Sequence, residues 1–563
     1  MFDGGVSMTD AFSPKSDELL FLALGGAGEI GMNLNLYGHA GKWLMVDLGI
    51  TFGDESTPGV DVIMPDISFI KERVGDLVGL VLTHAHEDHI GAVPYLWPQL
   101  RCPLYATPFT ASVLRRKLEE AGLAKEAPIT LIPMSGKVSL APFEVELITL
   151  THSIPEPNAV VVRTPLGAVL HTGDWKLDPT PLVGEATDEA ALRKLGDGGV
   201  LAMVCDSTNV FVEGASGSEA DVRDSLREVI GKLPNRVAVG CFASNVARLE
   251  TITRVAIEHG RQVALIGRSM WRMVASAQEN GYLTDLPEFI QEHDIGYFPR
   301  DKILMICTGS QGEPRSALAR IARREHPHVT LEPGDAVVFS SRTIPGNEKS
   351  IAQLQNDLTR QDVRVITDRE EDIHVSGHPA RDELIEMYQM IRPKIAIPVH
   401  GEARHIKEHV ALAKECQVPQ ALEAANGAII RLAPGAAEIV AAVPCGRLGL
   451  DGKALVRLEG DLLRHRHRMS FNGLIMASVV LDKHGKLLAP PQVSLEGLLD
   501  GGELGEKATA AMSQTIAEAL DGLSRDQLKD NEELTEICRL AARRWFSKAY
   551  DKKPVTKVHV VRL

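Results

Sequence analysis

The segment Thr83-His84-Ala85-His86-Glu87-Asp88-His89 constrains this chain more than any other. Four of the six residues from His84 to His89 are good ligands for a divalent cation: three imidazoles and the Asp88 carboxylate. Neutral imidazole suits zinc, and a carboxylate adds the charge that such an ion needs. Ahead of the segment, Val78-Gly79-Leu80-Val81-Leu82 reads as a buried strand; behind it, Ile90 to Leu96 reads as the start of a short apolar helix. His84 and His86 therefore leave a strand end together, and Asp88 and His89 sit near a helix N-terminus. A surface loop rich in histidine by chance would lack that setting.

The 563 residues are too many for one core, and three domains are expected. Hydrophobic content of 44% and charged content of 24% are ordinary for a globular chain, so neither a disordered nor a membrane-embedded class is favoured. No apolar run approaches a membrane span. Residues 1–17 are polar and acidic, without the apolar stretch of a signal peptide, and are expected to be flexible; Met8 is a second candidate start. The cysteines, Cys102, Cys205, Cys241, Cys307, Cys416, Cys445 and Cys538, are odd in number, scattered and without a CxxC pair. That fits a reducing cytoplasm, the expected location, and argues against a cysteine metal site. The formal charge of −15 speaks against a non-specific coat for nucleic acid. It does not exclude a nuclease, because bound divalent cations place positive charge where a phosphate goes.

Along the chain, Leu19 to Leu24 reads as a strand followed by Gly25-Gly26-Ala27-Gly28-Glu29-Ile30-Gly31, which contains GxGxxG. A dinucleotide site would need a helix next, but Met32 to Tyr37 alternates like a second strand. The glycines are therefore read as a hairpin loop near the metal site. Residues 18–208 alternate strands with short helices. Residues 209–370 change to a βαβ rhythm, including a helix from about Asn245 to His259 that stops at Gly260, and predict a small parallel-sheet domain. Residues 371–432 return to the first domain, with a helix over Asp382 to Ile391. Residues 433–446 read as a linker. Residues 447–563 form a third unit. There a hairpin is expected about Asp482-Lys483-His484-Gly485, and a helix is expected to bury Leu534, Ile537, Cys538, Ala541, Ala542 and Trp545. Arg464-His465-Arg466-His467-Arg468 reads as a solvated face or a phosphate contact.

The segment from His84 to His89 is the HxHxDH signature of the metallo-beta-lactamase superfamily, and the chain resembles that superfamily well beyond the loop. Four further residues stand in the expected order, each after an apparent strand: Asp47, His152, Asp174 and His400. A metal domain split by an inserted α/β domain resembles the beta-CASP nucleases, whose extra motifs match Asp206, His378 and His400. A histidine at the third of these goes with RNA substrates in that family. The loops at 25–33, 308–314 and 340–348 are similar to those of the bacterial ribonuclease J family. The resemblance implies an αββα sandwich interrupted by a beta-CASP α/β domain, with a small α+β C-terminal domain.

It also implies a mechanism. His84, His86 and His152 would hold one metal, Asp88, His89 and His400 a second, and Asp174 would bridge them. Zinc is the expected ion, with manganese or magnesium as alternatives. A two-metal-activated hydroxide would hydrolyse RNA phosphodiesters in RNA decay and maturation. Asp47 would position ligands or the water, and Asp206 and His378 would steady the phosphate or the leaving 3′-oxygen. The family trims 5′-monophosphorylated RNA from the 5′ end and also cuts internally. His374, Ser376 and Gly377 would form the pocket for the terminal phosphate. Expected partners are single-stranded RNA, a second or further copies of the chain through the C-terminal domain as a homodimer or homotetramer, and RNA-decay proteins, but no membrane. Two other readings are an RNA-binding scaffold with structural metals and a lactonase or thioesterase of the same superfamily.

Overall fold

The computed structural model describes residues 12–500, 502–524 and 526–563; both candidate start methionines lie outside them. Two sheets supply the frame for the site. The first has eight strands, in the order Glu438–Ala442, Ala428–Ala433, Leu19–Gly25, Leu34–His39, Lys42–Val46, Leu77–Val81, Leu104–Ala106 and Ile129–Leu131. The second has seven: Lys137–Leu140, Phe143–Thr149, Asn158–Thr164, Gly167–His171, Ala202–Asp206, Ile395–Val399 and Gln420–Ala421.

Side chains alternate across a strand, and that alternation builds the layers. Val145 and Leu147 join Val160, Val162, Val204 and Ile397 in one core with Phe21, Leu44 and Val46 of the first sheet. Their neighbours Val161, Met203, Cys205 and Ala396 face the other way. These pack on Leu384, Met387 and Ile391 of the helix Arg381–Ile391 and on Leu412 and Ala413 of the helix Ala403–Glu415. The second sheet is thus covered on both faces, which is why its central strands are almost wholly apolar. This is the expected αββα sandwich.

The insertion falls between two neighbouring strands. Ala202–Asp206 and Ile395–Val399 pair in parallel, Asp206 opposite Val399, although nearly two hundred residues separate them in sequence. Between them lies an all-parallel five-stranded sheet, ordered Gln262–Ile266, Ile303–Cys307, Val237–Gly240, Ala336–Phe339 and Arg364–Ile366. Its helix Val246–Glu258 begins where the Asn245 side chain accepts the Arg248 N–H and ends before Gly260, at φ +66°.

Three local expectations change, and a fourth holds in shortened form. The stretch 433–446 is no simple linker: Glu438–Ala442 pairs antiparallel with Ala428–Ala433 as the edge strand of the first sheet. Pro434 and Gly435 serve as a turn, and turns share their composition with linkers. Residues 52–63, expected within the first domain, group with residues 446–563; the remainder up to Cys445 forms the other compact unit. In that smaller unit the expected hairpin forms but is short, with Leu481 bridging Leu487 and the Leu488 N–H donating to the Val480 carbonyl at 3.0 Å, and the strand Leu474–Leu481 pairs at greater length with Gln492–Glu496. The helix Asn531–Tyr550 buries Leu534, Cys538, Ala542 and Phe546, a stripe that includes Phe546 and leaves Ile537, Ala541 and Trp545 half-buried. Within the basic stretch, Arg466 pairs with Asp451 at 2.7 Å and His467 Nε2 donates to the Ser56 carbonyl at 2.6 Å. No helix among the described residues is long and apolar enough to cross a membrane.

Candidate metal centre

The site forms where several strands of the two sheets end. Asp47 follows the strand Lys42–Val46 in the left-handed region, at φ +62°, which aspartate tolerates better than most residues. Its fully buried carboxylate accepts the Thr83 N–H and the Thr83 hydroxyl, each at 2.8 Å, and His89 Nδ1–H at 2.7 Å. Asp47 therefore pins both ends of the histidine loop. With Nδ1–H donated there, Nε2 is the His89 nitrogen left to face Asp88 and Asp174. Gly49 permits the close packing beneath: a Cβ there would lie 1.6 Å from the Asp88 carbonyl oxygen.

Two donor groups share Asp174. In the first, His86 Nδ1 lies 3.1 Å from His84 Nε2 and 3.0 Å from His152 Nε2, with Asp174 Oδ2 at 3.8 and 3.9 Å from the latter two nitrogens. Burial pushes the His84 and His152 imidazoles well below their ordinary range and that of His86 down to about 4. Neutral rings whose nitrogens converge this closely repel each other unless a cation sits among them. In the second group, Asp174 Oδ2 is 3.2 Å from His89 Nε2, and Asp88 Oδ2 is 3.6 Å from His89 Nε2 and 3.0 Å from His400 Nε2. Asp174 is buried, yet its Oδ1 has no hydrogen-bond partner, an unpaired state that is costly unless a cation satisfies it. Burial works against the Asp174 carboxylate, but His400 and His89 hold it well below the usual carboxylate range. The donors thus fit two divalent cations with Asp174 in common.

A third cluster adjoins these groups. His378 Nδ1 lies 2.7 Å from Asp206 Oδ2 and 3.9 Å from Asp174 Oδ2. Burial opposes charge on His378, but the Asp206 and Asp174 carboxylates raise its imidazole above the ordinary value. His400 sits 3.4 Å from Asp206 Oδ1 through Nδ1, and its N–H donates to the Gly26 carbonyl at 2.6 Å. The glycine loop expected near the site therefore touches it.

The expected phosphate residues separate into two places. His152 Nδ1–H donates to the Gly377 carbonyl, which orients the ring. The Ser376 hydroxyl accepts from Asn209 Nδ2 at 2.7 Å and from the His378 N–H at 3.2 Å. Ser376 and Gly377 line a small cavity with Ser153 and Lys176. His374 is set back from that lining, 3.4 Å from the Arg248 guanidinium, and burial holds its imidazole well below the ordinary range.

Several contributors escaped the sequence reading. Thr83 and Thr208 orient imidazoles of the cluster, Thr83 through a 3.0 Å contact to His84 Nδ1 and Thr208 through a 2.8 Å contact to His400 Nδ1. Asn209 ties Ser376 and the His378 carbonyl to the Asp206 loop. All three adjoin residues already singled out, so a small polar side chain beside an expected ligand was the available signal. Arg248 lies far from any motif and gave none.

The family models agree in order with these layers. "Metallo-beta-lactamase superfamily" matches residues 32–240, and "Ribonuclease J, beta-CASP domain" matches 234–358. "Zn-dependent metallo-hydrolase RNA specificity domain" matches 362–419, and "Ribonuclease J C-terminal domain" matches 461–563. The chain is 44% identical to "Ribonuclease J" of Sinorhizobium meliloti, over 98% of each chain. It is 36% identical to "Ribonuclease J" of Mycolicibacterium smegmatis, over 96% of this chain and 97% of that one. It is 33% identical to "Ribonuclease J" of Helicobacter pylori, over 95% and 78%. A crystal structure of a protein of unknown function from Enterococcus faecalis superposes with a TM-score of 0.51 at 16% identity, over 74% of this chain and all of that one, a likeness of fold alone. Near full-length identity at these levels, with every layer matched in order, places the chain in the ribonuclease J family.

Proposed function

We propose that the chain is a metal-dependent ribonuclease of RNA processing that hydrolyses phosphodiesters at the Asp174 centre, trimming 5′-monophosphorylated RNA in the 5′-to-3′ direction and also cutting internally. The observation that carries this reading is the pair of donor groups sharing Asp174, flanked by the Asp206–His378 pair, in a member of this family. His84, His86, His152 and Asp174 would hold one ion; Asp88, His89, His400 and Asp174 would hold the other. Zinc suits the imidazole-rich donors, with manganese or magnesium as working alternatives. Such ions supply Lewis-acid charge for phosphodiester hydrolysis near neutral pH.

The protein's own groups do the rest. Asp47 sets His89, the Gly377 carbonyl sets His152, and Thr208 sets His400. Asp206 holds His378 Nδ1–H, so His378 Nε2 is the atom left to meet the phosphate or pass a proton to the leaving 3′-oxygen. The Ser376 hydroxyl and the Gly377 backbone, beside Lys176, are suited to a terminal phosphate; Lys176 stands 3.0 Å from Asp178 Oδ2. His374 supports that loop from behind. A homodimer or homotetramer through the C-terminal unit completes the reading.

The test uses one short RNA with a 5′-monophosphate, triphosphate or hydroxyl, and His378→Ala beside the wild type. Mononucleotides should come from the monophosphate form. His378→Ala should lower kcat by about 10²–10⁴-fold with metal content unchanged. Equal rates on all three ends would reject the phosphate pocket, and a fully active His378→Ala would reject the role of that histidine.

A further inference from the structure

We propose that Phe211, with Arg404 and His405, forms a stacking subsite for one base of single-stranded RNA; the inference rests on the ribonuclease reading. Phe211 stands five residues after Asp206, and Arg404 stands four after His400. Both are carried by segments that the site holds rigidly. Thr208 bonds His400, Asn209 bonds Ser376, and buried Val210 anchors the turn. Yet Phe211 is 49% exposed. Its edge packs on His405, with centroids 5.3 Å apart, and the Arg404 guanidinium carbon lies 6.0 Å from its centroid. His405 is 8% exposed in its side chain and its Nδ1 lies 3.8 Å from Glu402 Oε2, so the imidazole backs the Phe211 ring from the protein side. A half-exposed ring and an adjacent cation match the chemistry of a base and its phosphate: stacking and charge.

The other exposed aromatic rings fit less well. Phe52, Tyr297 and Phe471 belong to segments that carry no site residue. Tyr95 follows the histidine loop, but burial and then the Glu87 and Glu120 carboxylates push its phenol up, and carboxylates repel a phosphate backbone. Beside Phe211 a carboxylate is also present, but the Glu402 charge is matched by the Arg404 guanidinium at 2.9 Å, which is 63% exposed. A stacked base here would lie on the segments that carry Asp206 and His400. Phe211 would thereby set where the strand lies without touching the reacting atoms.

The experiment is an abasic scan. A set of 5′-monophosphorylated oligoribonucleotides, each missing one base at a successive position, is cleaved by the wild type, Phe211→Ala and Phe211→Trp. For the wild type, KM should rise about tenfold at one position of the scan. Phe211→Ala should show that higher KM on intact RNA, lose the position dependence, and keep its kcat and melting temperature. Phe211→Trp should restore the wild-type pattern. A wild type that cleaves RNA while Phe211→Ala matches it on every oligonucleotide overturns the stacking subsite alone. A metal-loaded wild type that cleaves none of the RNAs overturns the ribonuclease reading, and the subsite with it.

Discussion

Replacing Arg248 with methionine should cost the inserted domain a large part of its stability and loosen the loop that carries His378. Arg248 is fully buried, and its guanidinium donates to both Glu219 oxygens at 2.6 and 2.9 Å. It also donates to the Ser340 carbonyl at 2.9 Å, the Ser340 hydroxyl at 2.7 Å and the Ile373 carbonyl at 3.2 Å. Methionine fills similar space but leaves the Glu219 carboxylate, 7% exposed, without its counter-charge. Stranding one member of a buried pair costs about 3–5 kcal/mol. Removing both charges, as in Arg248→Met with Glu219→Leu, should cost far less, because the Ile373 carbonyl keeps the Ser340 hydroxyl donor at 2.6 Å. A double-mutant cycle by urea unfolding, followed by circular dichroism, should therefore recover at least about 2 kcal/mol in the double variant. RNA cleavage should fall in the single variant and return in part in the double, since Ile373 lies five residues before His378. A single variant that loses under about 1 kcal/mol, or a double variant no better than the single, would refute the reasoning.

Other consequences are simpler to check. Asp47→Ala removes the acceptor for Thr83 and His89, and should weaken metal affinity or activity about 10- to 100-fold while leaving the ligating side chains in place; metal titration and initial rates measure it. Gly49→Ala would drive its Cβ against the Asp88 carbonyl. It should lower the melting temperature and the metal content together, and an unchanged protein would contradict the packing described. Removing residues beyond 445 should leave a monomer by light scattering after size exclusion, whereas a persisting dimer would place the contact elsewhere.

The site was legible because its residues are local signals. His84, His86, Asp88 and His89 share one loop, and Asp47, His152, Asp174, Asp206 and His400 each stand next to an apolar run that reads as a strand. A strand end is where a side chain can leave the sheet and meet others, so order along the chain foretold the cluster. The αββα layers followed from the same runs, and the insertion followed from His400 lying beyond a βαβ stretch. What stayed hidden depends on pairing over distance. Pro434-Gly435 looks alike in a linker and in a hairpin, and only the partner strand Ala428–Ala433 decides between them. The grouping of 52–63 with the C-terminal unit leaves no mark in composition. Arg248 reads as an ordinary surface arginine on a helix until Glu219, Ser340 and Ile373 are brought around it. Trp545 and Phe546 are adjacent aromatic residues that compete for one helical face, and only packing decides that Phe546 takes it.

In the proposed function two metal ions share Asp174 and RNA cleavage depends on both. Metal content per chain, measured by mass spectrometry on wild type and Asp174→Ala alongside cleavage of a 5′-monophosphorylated RNA, tests it most directly. Two ions are expected in the wild type and fewer in Asp174→Ala, with cleavage lost in the variant and the fold intact. An Asp174→Ala protein that keeps both ions and cleaves RNA would contradict that function.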